Sequence, residues 1–252
     1  MEYYAHITED KKRRQSVKSH LTGTAELAAK FAGKFGKSDW GYCCGMLHDI
    51  GKYSIAFQDR LLGKNSQRVD HSTAGAQLCL AQKGTMYWLA AFCIAGHHAG
   101  IPDYGSSANG KSLLGRNQKQ IPDYQAYQNE IEIPQLKNTP FDPDKTTNFF
   151  FSLSVFVRML YSCLVDADFL DTEQFMNNGN TVRDSGENME ILSRKLENYI
   201  SVWLSNPNFN TVNGRRTEIL KHCLECGKAR KGLFRLAHGQ RRPKRSTDMN
   251  YT

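Results

Sequence analysis

Among the eight histidines of this 252-residue sequence, the pairs His48-Asp49 and His97-His98, together with His20, have the types and spacing for chemistry. Imidazoles and carboxylates become metal ligands when several converge. Neighbouring residues on a helix diverge by about 100°, so adjacent ligands serve two metals, or adjacent vertices of one, only near a helix end or kink. Gly51 and Gly96, beside the two pairs, permit the close backbone approach this needs. Each pair alone also reads as polar residues at a helix end; the combination with His20 makes metal binding the stronger reading. Lys52 lies one turn beyond His48, which puts its ammonium on the same face, near any phosphate a metal holds. Its plain alternative is a surface lysine.

Helices must position these groups. An apolar stripe of Leu21, Ala25, Leu27, Ala28 and Phe31 predicts a helix over 20–35, stopped by Gly36. A second begins at Ser38 or Asp39, both good caps, and runs through Trp40, Cys43, Cys44, Met46 and Leu47 into the stretch from His48 to Lys52. Further helices are predicted over 72–82, 85–97, 147–173 and 187–204. Residues 102–145, rich in Gly, Asn, Gln, Pro and Asp, read as an irregular insertion with one short helix. Strand-like alternation is nearly absent, apart from the short run Gly232 to Leu236.

Composition fits a folded globule, with 40% apolar and 23% charged residues. Lys and Arg outnumber Asp and Glu by 33 to 25, a net charge of +8 that favours polyanionic partners. Part of that excess lies in the runs Lys11 to Arg14 and Arg241 to Arg245, which read as solvated tails. The first eighteen residues are polar and carry no secretory pattern. The apolar stretch 149–170 contains Arg158, Asp166 and Asp168, so it reads as a buried helix and no membrane partner is expected. Seven cysteines without regular spacing suit a reducing cytoplasm, and Cys223-x-x-Cys226 after His222 lacks the second pair of a zinc site.

The motifs Ser19-His20-Leu21, Leu47-His48-Asp49-Ile50-Gly51-Lys52, Asp70-His71-Ser72-Thr73-Ala74-Gly75-Ala76, Gly96-His97-His98-Ala99-Gly100 and Leu164-Val165-Asp166-Ala167-Asp168-Phe169-Leu170 follow one another in this order. In that order the sequence resembles the HD phosphohydrolase superfamily, and more closely the HD nuclease domain of the CRISPR type I nuclease-helicase, particularly subtype C. The resemblance implies an all-α fold, an HD-domain helical bundle with the irregular insertion after the His-His motif. It implies a nuclease domain over 1–205 and, over 206–252, a linker remnant toward an absent helicase with a basic tail. Thr211 to Arg216 and Gly232 to Leu236 look like that family's linker.

The same resemblance implies two divalent transition metals, Mn, Fe, Co or Ni. His20, His48, Asp49 and Asp168 would hold one, and Asp49 would bridge to a second held by His71, His97 and His98. Asp168 is taken as the last ligand because an aromatic and an aliphatic residue follow it; Asp166 is the runner-up. Nitrogen-rich ligand sets favour such ions over magnesium, and a metal pair can activate water for attack on a phosphodiester. Asp49 and Lys52 are the expected catalytic residues, Lys52 neutralising charge on the scissile phosphate. Single-stranded DNA is the expected substrate; a helicase module, the CRISPR surveillance complex and a phage protein inhibitor are the partners such a module would meet. Two rival readings are an HD phosphohydrolase of nucleotides or cyclic nucleotides, and a non-catalytic nucleic-acid- or partner-binding remnant.

Residues 105–112 also satisfy the phosphate-loop pattern letter for letter. A phosphate loop needs a buried strand before it and a helix after it, neither of which is expected here. The family's helicase carries its true phosphate loop after the Gly-Leu-Phe-Arg-Leu-like strand, whereas this sequence continues into a basic tail. A nuclease module separated from its helicase by gene splitting, frameshift or truncation is the expectation.

Overall fold

The computed structural model describes residues 2–82, 87–180, 187–205, 208 and 210–227. As expected, the architecture is all-α: helices dominate the described residues, whose one sheet is a two-stranded hairpin. Helix α1 (Val17–Gly33) begins where Ser16 accepts the Ser19 N–H, a side-chain cap for an otherwise unpaired first-turn amide. It buries His20, Leu21, Thr24, Ala25, Ala28 and Ala32 on one face. The chain reverses into α2 (Ser38–Leu47). The two helices lie in near-backbone contact, because a Cβ on Gly45 would sit 2.4 Å from Ala25 Cα.

After α2 a 3-10 turn, Ile50–Tyr53, leads into α3 (Ile55–Leu61). The sequence does not announce α3, whose seven residues are too few to display a helical period. Next come α4 (Ser72–Ala81) and α5 (Tyr87–Gly96), which pack together; the predicted start of α5 at 85 lies outside the described residues. The insertion is irregular as expected, with α6 (Leu113–Asn117) and two 3-10 turns, Gln125–Asn129 and Pro143–Lys145. A short helix therefore does follow the phosphate-loop pattern, contrary to expectation, but no strand precedes it. Ser112 there caps α6 through the Gly115 N–H and donates to the Ser106 and Asn109 carbonyls.

Helix α7 (Phe149–Met176) starts on an Asn148 cap and packs on α1, α2 and α5. By length and composition it could cross a membrane. Only one face is buried, the stripe Leu153, Phe156, Val157, Leu160, Leu164 and Ala167, while Phe150, Val155 and Met159 are exposed. The expected buried helix is thus half-buried.

The N-terminal segment corrects the sequence reading. Tyr4–Ile7 (β1) pairs antiparallel with Arg14–Ser16 (β2), and the basic run before β2 is not merely a solvated tail. Arg13 donates to the carbonyls of Phe175 at 2.6 Å and Met176 at 2.8 Å, satisfying acceptors at the end of α7. Arg14 lies 5.2 Å over the Tyr4 ring.

Contacts divide the chain into two compact units, residues 1–182 and 183–252, whereas the sequence reading placed the boundary at 205/206. The second unit contains α8 (Met189–Ser205) and α9 (Val212–Gly227). Residues 212–216, taken as linker, are helical, and Thr211 caps them through the Gly214 N–H. Gly232 to Leu236 and Arg241 to Arg245 lie outside the described residues.

The α1–α2 contact gives a test of this packing. Gly45→Ala should lower stability by about 1–3 kcal/mol or more, the range for overpacking. Gly110→Ala, whose added Cβ meets open space, should leave the melting temperature nearly unchanged; equal shifts in both variants would contradict the contact.

Candidate metal centre

The ligand pairs occupy helix ends. Helix α2 stops at Leu47, and Asp49 leaves helical geometry at φ −113°, ψ 21°. His48, just past the end, donates Nδ1–H to the Gly45 carbonyl at 2.7 Å. His97 does the same after α5, to the Ile94 carbonyl at 2.8 Å. Last-turn carbonyls lack intrahelical partners, so each imidazole caps the helix it follows. A carbonyl only accepts, so these bonds fix a proton on Nδ1 and leave Nε2 as the nitrogen able to ligate an ion. His71, preceding α4, is oriented the same way by the Val69 carbonyl at 3.3 Å.

These Nε2 atoms converge on Asp49, which is 1% exposed. Oδ1 lies 3.2 Å from His97 Nε2 and 3.3 Å from His71 Nε2, and Oδ2 lies 3.3 Å from His20 Nε2 and 3.4 Å from His48 Nε2. Asp168 Oδ1 completes one side at 3.4 Å from His20 Nε2 and 3.5 Å from His48 Nε2. His98 Nε2 completes the other, 2.9 Å from His71 Nε2. Two groups of donor atoms result, Asp49-His71-His97-His98 and His20-His48-Asp49-Asp168, each within a 4.8 Å span and each able to hold a metal. Asp166 is exposed and belongs to neither.

The donor chemistry fits a cation. His48 Nε2, Asp49 Oδ1 and His97 Nε2 are buried without a hydrogen-bond partner; the 3.2 Å His97–Asp49 approach lacks hydrogen-bond alignment. Buried polar atoms without partners are costly, and ions bound by these atoms remove that cost.

Glycines make the approaches possible. A Cβ on Gly51 would lie 2.3 Å from the His71 carbonyl oxygen, and one on Gly96 would lie 2.9 Å from Ile101 Cα. Asp70 sets the start of α4 by accepting from the Thr73 N–H and hydroxyl, and Lys119 of the insertion pairs with it at 2.5 Å.

Two contributors escape the sequence motifs. Asp171, one turn after Asp168 on α7, accepts from His20 Nδ1 at 2.7 Å and from the Gln15 amide at 2.8 Å. His6, on β1, packs edge-on against the His20 ring at 4.7 Å and accepts from Lys52 Nζ at 3.3 Å. Lys52, far from the surface at 4% exposure, pairs with Asp49 Oδ2 at 2.6 Å. A groove of about 1210 Å³ along β2, α1 and the end of α7 meets the site only at Asp171 and Gln15.

Burial opposes charge throughout the site. Against it, Asp49 and Asp168 raise His48 to about 10, while Lys52 and His48 hold the Asp49 carboxyl far below its usual range. Burial, with Lys52 and His20, lowers His6 to about 3, so it is neutral. Burial and His97 likewise lower His98 to about 4.

Residues 17–131 match the HD domain family. The match supports the HD phosphohydrolase superfamily, and the HD domain indicates a metal-dependent hydrolase. It spans His20, His48, Asp49, Lys52, His71, His97 and His98, while Asp168, Asp171 and His6 lie outside it. A comparison with curated proteins found no match.

Two predictions follow from this geometry. Asp171→Asn should weaken metal binding about 10- to 100-fold, the usual cost of losing a carboxylate behind a ligating histidine; titration calorimetry with Mn2+ checks it. The second concerns metal-free protein. His48 is raised from 6.5 to about 10 in the fold, so its pairing stabilises fully below about pH 6.5 and is lost as pH climbs toward 10. Chelator-treated protein should therefore melt at steadily lower temperature above about pH 6.5, with a flatter profile in Asp49→Asn.

Proposed function

We propose that this chain is a two-metal nuclease that hydrolyses phosphodiester bonds of single-stranded DNA, acting as the nuclease module of a CRISPR interference system of type I, subtype C-like. The observation that carries the reading is the pair of donor groups joined through one carboxylate, Asp49. His20, His48, Asp49 and Asp168 would hold one divalent ion, and Asp49, His71, His97 and His98 the other. When bound, such ions supply Lewis acidity toward phosphoryl oxygens and activate water. Five imidazoles favour Mn, Fe, Co or Ni over magnesium.

The chain's own residues orient and balance this centre. Asp171 and three main-chain carbonyls hold the imidazoles with Nε2 inward. Lys52 brings a buried ammonium to Asp49, close enough to offset charge gathering on a phosphoryl group. The net charge of +8 supports a polyanionic substrate, and the order of motifs supports a DNA nuclease over a nucleotide hydrolase. In that setting the chain works in the cytoplasm with a helicase module and the surveillance complex, and is a target for a phage protein inhibitor.

Metal content measured alongside cleavage tests the reading. Wild-type protein should carry two transition-metal ions and cut labelled single-stranded DNA. Asp49→Asn should lose both ions and at least about 10²–10³-fold of the rate, the scale for losing one electrostatic contact at a reacting centre. His98→Ala should keep the ion held by the His20 group. Turnover of nucleoside triphosphates or cyclic nucleotides with no DNA cleavage would reassign the site to small substrates, and protein that takes up no metal would leave only a binding role.

A further inference from the structure

Lys52, whose ammonium the metal reading directs at a phosphoryl group, forms with His6 a unit that reading leaves unexplained. The Lys52 ammonium contacts Asp49 Oδ2 at 2.6 Å and His6 Nε2 at 3.3 Å, and lies 5.6 Å from the centre of the Phe57 ring. His6 Nε2 also lies 3.4 Å from the Thr172 hydroxyl of α7. This placement is built in. Gln58, 1% exposed, accepts the Tyr4 N–H at 3.0 Å and donates to the Tyr4 carbonyl at 2.9 Å and the Lys52 carbonyl at 2.8 Å. One buried amide thereby fixes strand β1, which carries His6, against the turn that carries Lys52.

The consequence concerns what the ammonium does when Asp49 serves as a metal ligand. A buried carboxylate needs compensating partners, and without metal the Lys52 ammonium is the nearest of those around Asp49, at 2.6 Å. A divalent ion on Asp49 takes over the compensation, and the 4%-exposed lysine must then find another acceptor or remain buried and unpaired. The His6 lone pair is already within reach.

Resting on the metal reading above, we propose that Lys52 is a resident stand-in for a metal cation. His6 is the positioning residue that receives its ammonium when a divalent ion occupies Asp49. Lys52 then remains inside the site with its charge directed by a neutral acceptor, ready to meet an anionic substrate.

The test is Mn2+ binding to metal-stripped protein by titration calorimetry, with melting curves as a control for folding. His6→Phe keeps a ring against His20 but removes the acceptor, and should weaken Mn2+ binding roughly tenfold, the scale of a hydrogen bond to a charged group. His6→Gln, which can present an oxygen near the Nε2 position, should restore most of the loss. Lys52→Met removes the resident cation and should tighten binding by a similar factor. In that background His6→Phe should have no further effect.

Unchanged affinity in His6→Phe overturns the inference while leaving the metal centre standing, as does a loss that persists beside Lys52→Met, since packing alone would then account for it. Should His6→Phe melt below the assay temperature, the Lys52→Met arm decides, and equal or weaker binding there overturns the stand-in role. Wild-type protein that binds no Mn2+ and no other transition metal defeats the metal reading and this inference together.

Discussion

The carboxylate of Asp49 is the constraint around which the first unit is arranged. An ionised carboxyl at 1% exposure costs several kcal/mol of desolvation unless other groups compensate it. No single partner can do so, because both oxygens are buried and together present about four acceptor sites. The fold therefore brings groups from several elements to one point: His20 from the first turn of α1, His48 from the end of α2, His71 from the start of α4, His97 from the end of α5 and Lys52 from the turn between α2 and α3. Helices carrying these groups must approach closely, which explains the small residues at Gly45, Gly51 and Gly96.

Helix termini serve two purposes here. The last turn of a helix leaves carbonyls in need of donors, and a metal-ligating imidazole needs its far nitrogen tied to an acceptor. His48 on Gly45 and His97 on Ile94 satisfy both needs with one bond each. His20 sits in the first turn of α1, where carbonyls already accept from amides one turn on, so its Nδ1 requires a side-chain acceptor. Asp171 fills that role, and Gln15 in turn occupies Asp171. The same logic explains why adjacent ligands occur where helices stop: at His48-Asp49 the break in helical geometry turns two neighbouring side chains toward one centre.

Those helix-end pairs were legible in the sequence because they combine helical periodicity with adjacent ligands. The stripe through Leu21, Ala25 and Ala28 predicted α1, and the apolar spacing before His48 and before His97 predicted α2 and α5. Choosing Asp168 over Asp166 needed family resemblance, since both occupy the same apolar stretch; geometry separates them by turning one inward and the other to solvent. Other features left no local signal. Strands of four and three residues are too short to show alternation, and a basic run beside them reads as solvated until Arg13 meets the end of α7. His6 and Asp171 owe their roles to contacts across 46 and 151 residues of chain, to Lys52 and to His20, which no local window of sequence contains.

Asp49 also joins two unequal halves. His20, Asp168 and Asp171 belong to α1 and the C-terminal part of α7, and Arg13 ties that part of α7 to the strand pair bearing His6. His71, His97 and His98 belong to α4 and the end of α5, where Asp70 links the start of α4 to Lys119 of the insertion. Apart from Asp49, the two donor groups share no residue. Residues in one network couple, so in the proposed two-ion arrangement cooperation would run through the Asp49 carboxylate common to both donor groups and the lysine beside it.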